Sequence, residues 1–344
     1  MPSESDLERH INKLMISKII KTDSSFSEQH AENFITHAFN KHPFIGHIDG
    51  NNNKYWKGYT SEYKYTYKTK TTTVNDEKIQ TKELDEGINE LYENDVFISR
   101  IFKNTYVIKK DAISSPMFID TFILPDLNFI CIIGSKDNIR IPDETIKDYL
   151  LENDIKYEEI NICHDFLLWI LWKLSLGENI SSKIHLDYFE DLRVGLDNPK
   201  DNSYDDSPTS IKTEGTGHEM PSLPICYGLF NRKALNHLKG EFIYNNYTFI
   251  LKIDIFKRDE QEISNIHIHS NGSLDGLKYS EKLQLVLPFL YNLSELIYEW
   301  EGYDKESKYP DEDYLNKLLE NAQNEFDEMV ESFEEYKHSF SSKN

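Results

Sequence analysis

The chain is poor in cysteine. Cys131, Cys163 and Cys226 are the only three among 344 residues, and each stands alone in apolar surroundings. With no CxxC pair and no even-numbered framework, a disulfide scaffold is excluded, and buried thiols in a reducing compartment are expected. Long apolar runs are also missing. The opening, MPSESDLERHINKL, has no apolar core of the secretory type, and no stretch approaches the ~20 residues of a membrane span. Basic charge is scarce as well: 38 Lys and Arg face 60 Asp and Glu, a formal charge of −22. Such a surface repels nucleic acid and anionic membranes unless a local basic patch overrides it. No Gly-rich phosphate loop, GxSxG or HExxH occurs, and there is no internal repeat and no sustained heptad. Together these absences point to a cytoplasmic protein that stays off the membrane.

What the chain does have is enough apolar residues, 38% of the total, to build a real core, and a length that fits two to three domains or one large one. The stretch Cys163–Gly177, CHDFLLWILWKLSLG, is its centre. From Phe166 to Leu176 only Lys173 and Ser175 are polar. A helix apolar nearly all round is buried, so a core helix is expected here, with Asp165 as N-cap and Gly177 as a left-handed stop.

Before it, Asp6–Lys21 carries Leu7, Ile11, Leu14, Met15 and Ile19 at helical spacing, which predicts a first helix. A second helix is predicted from the Ser25/Glu28 capping box, with Ala31, Phe34, Ile35, Ala38 and Phe39 on one face and Pro43 at its end. Tyr59–Thr73 alternates strictly and reads as a long strand turning at Asn75-Asp76 into a partner over Lys78–Leu84. A short helix at Glu86–Tyr92 and strands at Val96–Phe102 and Thr105–Lys109 follow.

Strands are then expected at Met117–Leu124, Phe129–Gly134, Lys156–Ile162 and Lys183–Phe189, with a helix at Pro142–Asn153. Gly195–Pro224 is dense in Asp, Asn, Ser, Thr, Gly and Pro and is expected to be a mobile insertion. A helix capped by Asn231 and ending near Lys239, a hairpin through Asn245-Asn246, a strand at Glu262–His269 and a long helix at Ser280–Trp300 containing Pro288 come next. The last helix, Asp311–His338, has an acidic back and a stripe of Leu315, Leu318, Leu319, Ala322, Phe326, Met329, Val330 and Phe333. Its default mate is its own domain.

The expected fold class is therefore α+β. An N-terminal helical and β-hairpin unit over 1–112 precedes a mixed α/β body over 113–344, with a buried central helix, an insertion at about 195–224 and a long acidic C-terminal helix.

Two readings of function follow. Glu62 and Lys64 lie two apart on a predicted strand and point the same way, with Asp49 upstream after a helix. Over Ser27–Tyr67 this Asp…Glu-x-Lys order resembles the PD-(D/E)xK nuclease superfamily, with Ile48-Asp49 where that family has Pro-Asp. The resemblance implies that Asp49 and Glu62 hold Mg²⁺ while Lys64 steadies the attacking water or phosphate. Lys54, Lys57, Lys68 and Lys70, interleaved with aromatics, are the matching nucleic-acid-binding candidates. The plainer reading of the same stretch is a strand with a core face and a mixed-charge solvent face. His267 and His269 share a strand face but have no evident third ligand, and Cys163-His164 opens the buried helix.

The favoured reading is a non-catalytic interaction protein that meets a protein partner through its acidic surface. It needs no cofactor; Mg²⁺ enters only with the nuclease alternative.

Overall fold

The computed structural model describes residues 13–37, 44–48, 54–58, 63–66, 72–74, 77–79, 95–107, 112–113, 117–134, 140–195, 210–218, 221–230, 233–258, 261–269, 272–277 and 279–341. The protein is α+β with antiparallel pairing. It divides into two compact units, Met1–Ile160 with Gly276–Ser294, and Asn161–Asp275 with Glu295–Asn344.

The first unit opens with strand β1 (Lys13–Thr22) and helix α1 (Glu28–His37). Strands β2 (Phe44–Ile48), β3 (Lys54–Gly58), β4 (Tyr63–Thr66), β5 (Thr72–Val74), β6 (Glu77–Ile79), β7 (Asp95–Val107), β8 (Ala112–Ile113), β9 (Met117–Leu124) and β10 (Phe129–Ile133) follow. Helix α2 (Arg140–Glu152) and strand β11 (Tyr157–Glu159) complete it. Its sheet runs β1-β10-β9-β7-β3-β2, with β11 on β1 and with β4 and β8 on β7.

From Lys13 on, where its residues are described, the first helix expected from the sequence is instead β1. Ile16, Ile19 and Ile20 are buried, and so are Ser17 and Thr22, so both faces of the strand are covered. A strand buried on both sides has no reason to alternate, and its apolar run mimics helical spacing. Likewise β7 is one strand to Val107 where two were expected, and β11 is shorter than the strand expected over Lys156–Ile162. Helices α1 and α2 pack Phe34, Ile146 and Leu150 with Ile20, Ile123 and Ile130 of the sheet. The Tyr149 hydroxyl donates to the His30 carbonyl at 2.9 Å, tying the two helices. Strands β5 and β6 pair antiparallel, Thr73 opposite Lys78; Asn75-Asp76 lies outside the described residues.

The second unit contains helix α3 (His164–Ser175), strands β12 (Ile184–Gly195) and β13 (Ser210–His218), helix α4 (Leu223–Phe230), and strands β14 (Leu235–Tyr244), β15 (Tyr247–Arg258) and β16 (Gln261–His269). Helix α5 (Tyr279–Glu301) begins in the first unit and ends in the second, followed by α6 (Lys305–Lys308) and α7 (Glu312–Ser341). Its strands are ordered β13-β12-β14-β15-β16, all antiparallel.

Helix α3 is the buried rod the sequence describes. Phe166, Leu167, Trp169, Ile170, Leu171, Trp172 and Leu174 are buried, and Phe166 packs on Trp169 and Trp300 at 5.5 and 5.3 Å. Its N-cap is Cys163, with no side-chain cap, and Asp165 lies in the first turn. Gly177 closes it at φ 67°, with Gly177 N–H donating to Leu174 and Glu178 N–H to Lys173, the two bonds of a Schellman stop.

Two expectations in this unit fail. Ser210–His218, inside the stretch read as a loop, is strand β13 along β12; its Thr and Ile gain a partner that a local reading cannot supply. The stretch expected to be a helix up to Lys239 is in part strand β14, whose Leu235, Leu238 and Phe242 are buried. Gly240 marks it: a Cβ there would sit 2.7 Å from the Tyr188 carbonyl oxygen, where β12 bulges toward it. The β14–β15 turn is as expected, with Asn245 and Asn246 at φ 46° and 66°, the left-handed pair a tight hairpin requires.

Candidate functional site

Asp49, Glu62, Lys68 and Lys70 lie outside the described residues. Lys64 stands in β4 opposite Phe97, Lys57 in β3 opposite Ile45 and Thr105, and Lys54 opposite Ile48. These are backbone positions in neighbouring strands of one sheet. They add no convergence of carboxylates to the nuclease reading.

The polar side chains that do converge are elsewhere, on the face shared by β14, β15 and β16. Cross-strand register sets His237 opposite Asp254, and Lys252 opposite His267. His237 Nδ1 lies 2.6 Å from Asp254 Oδ1, Lys252 Nζ 3.0 Å from Asp254 Oδ2, and His267 Nε2 3.6 Å from the same oxygen. Both imidazoles are buried. Burial pushes the Asp254 carboxyl up, but the hydrogen bonds and charges of His237 and Lys252 outweigh it and hold it well below the usual carboxylate range. Asp254 is thus an ionised acceptor, and His237 must donate through Nδ1–H.

That arrangement orients an imidazole as an acid–base catalyst requires, while His237 Nε2 is buried with no hydrogen-bond partner among the described residues. Among the described residues no group of three His, Cys, Asp or Glu is arranged to hold a metal. The cluster is a part-buried ion-pair ladder, its imidazoles buried and its Asp254 and Lys252 partly exposed. Of the sequence candidates for a histidine site it includes His267 and joins it to Asp254 and His237. The signal that would have found it is the alternating polar register of NHLKGE, KID and NIHIH, visible once all three are read as strands.

Two of the three thiols, Cys131 and Cys226, are buried. Burial pushes Cys131 far up and Cys226 up to about 11, and the Cys226 thiol donates to the Pro221 carbonyl at 3.2 Å. His164 Nε2 lies 3.6 Å from Asp165 Oδ1, and Asp165 also accepts from the Tyr309 hydroxyl at 3.1 Å.

The surface feature is helix α7. Asp311 caps it, accepting from Tyr314 N–H at 2.9 Å. Tyr314, Leu318 and Ala322 are buried. Asn321 donates to the Pro221 carbonyl at 2.8 Å, and Glu325 accepts from Leu223 N–H at 2.6 Å, fixing α7 against the start of α4. The rest of the stripe, expected to pack on its own domain, does not. Leu315, Leu319, Phe326, Met329, Val330 and Phe333 are 48, 59, 46, 55, 44 and 64% exposed. No side chain described after Glu325 is buried.

Among the described residues no helix is long and apolar enough to cross a membrane. No protein-family model and no curated protein sequence matches the chain.

Proposed function

We propose that this is a non-catalytic interaction protein that takes a protein partner through its acidic surface, with α7 as the contact. The observation that carries the reading is the exposed apolar row on that helix. Six large apolar side chains left in water on one element are more than the scattered singles of an ordinary surface, and such rows mark interaction sites. The acidic residues beside them add steering for a basic partner.

The test is retention of cellular proteins by the full chain and by a Leu319→Lys, Phe326→Lys, Phe333→Lys variant. The variant should unfold at the same denaturant concentration and lose the retained proteins, and raised salt should weaken retention by the wild type. If the variant retains the same proteins, α7 is not the contact and the reading falls.

A further inference from the structure

We infer that the partner is a basic amphipathic helix laid lengthwise along α7, an inference that rests on the interaction reading above. Three observations select it over other occupants.

The first is spacing. The exposed residues Leu315, Leu319, Phe326, Met329 and Phe333 step by four, seven, three and four, a four-three alternation with the buried Ala322 at the skipped place. That is the alternation a second helix reads, because it keeps the seam facing the partner. It is obscured in the bare sequence by Tyr314 and Leu318, which belong to the buried face on the α4 side. The row runs about 27 Å at 1.5 Å per residue, and its knobs recur about every 5 Å. An extended strand offers side chains on one face only every ~6.6 Å, so it falls out of step within a few residues.

The second is charge. Helix α7 carries nine carboxylates and two lysines, on a chain of net charge −22. A second copy would set two such helices side by side, with like charges along the whole contact. A basic partner reverses the sign of that term.

The third is position. Glu320, Asp327 and Glu334 recur every seven residues and form one line about 100–140° round the helix from the row, beyond Gln323, Val330 and Lys337, which flank it directly. The opposite flank, at Tyr314 and Leu318, is buried. A helix lying in the row therefore has a line of carboxylates beyond its open side, which only long lysine and arginine stems reach.

The experiment uses the full-length protein and three synthetic peptides of about four heptads each. One has Leu and Ile at the seam and Lys elsewhere, the second has the same seam with Glu in place of Lys, and the third has the Lys peptide's composition with the seam scrambled. Titration calorimetry should show the first binding at least about tenfold more tightly than the other two. The triple reversal Glu320→Lys, Asp327→Lys, Glu334→Lys should weaken it by about tenfold or more. Phe326→Lys with Phe333→Lys should abolish it.

Equal binding of the scrambled peptide would overturn the inference in favour of charge alone. Sedimentation that shows the protein dimerising unless Phe326 is changed would make the occupant a second copy. If no peptide binds while cellular retention still depends on Phe326 and Phe333, the helical partner is wrong and the interaction reading stands. If neither depends on them, both fall.

Discussion

Removing the Asp254 carboxylate strands a buried imidazole. His237 would keep an Nδ1–H with no acceptor, and Lys252 would lose its counter-charge. Asp254→Ala should therefore cost about 2–4 kcal/mol in urea unfolding, whereas Asp254→Asn, which keeps an acceptor, should cost less. The pH dependence follows from the depressed carboxyl. Its contribution is complete above the unfolded value near pH 4 and is lost as pH falls through the lower folded value. The stability gap between wild type and Asp254→Asn should narrow as pH drops below about 4. Gly240 is the second sensitive point. Gly240→Ala puts a methyl 2.7 Å from a backbone oxygen and 2.8 Å from Leu186 Cδ1, and should destabilise by about 1–3 kcal/mol. None of this was legible locally. Asp254 is an ordinary strand acid in sequence, and its partners come from other strands.

At the scale of elements, α3 and α7 are opposites. Trp169 is 2% exposed, so Trp169→Ala should cost about 3–5 kcal/mol by thermal or denaturant unfolding. Phe333 on α7 is free in water, so Phe333→Lys should change stability by no more than about 0.5 kcal/mol while removing partner binding. Elements with strong local chemistry were readable: α3 from its apolar run and Gly177, α2 from the Pro142 start, the β14–β15 turn from Asn245-Asn246, β9 and β10 from Ile- and Phe-rich runs parted by Pro125. The misreadings, β1, β13 and β14, are strands whose identity comes from neighbours. Ile19 lies opposite Cys131, Lys212 opposite Arg193, and Leu238 between Leu192 and Ile253. Those pairings override local preference.

For the whole molecule, net charge and the exposed row on α7 pull against each other. At neutral pH the charge of −22 makes copies repel one another. Near the sequence pI of about 4.9 that repulsion vanishes, and the apolar rows should bring copies together. Light scattering should rise between pH 7 and pH 5 in the wild type, and rise much less in Phe326→Lys with Phe333→Lys, which lacks the adhesive row.

The amino-acid sequence by itself determined the fold class, the buried Trp-rich helix, the tight turns and the acidic surface. Each of these depends on chemistry contained within a short stretch: apolar run length, φ preference, charge. Only the tertiary structure decided that β1 and β14 are strands, that His237, Asp254 and His267 form a ladder, and that the stripe on α7 divides into a face buried toward α4 and a face in water. A side chain's neighbours across a sheet are set by register between distant segments. Whether an apolar row is covered is a property of the folded surface, and no local pattern carries it.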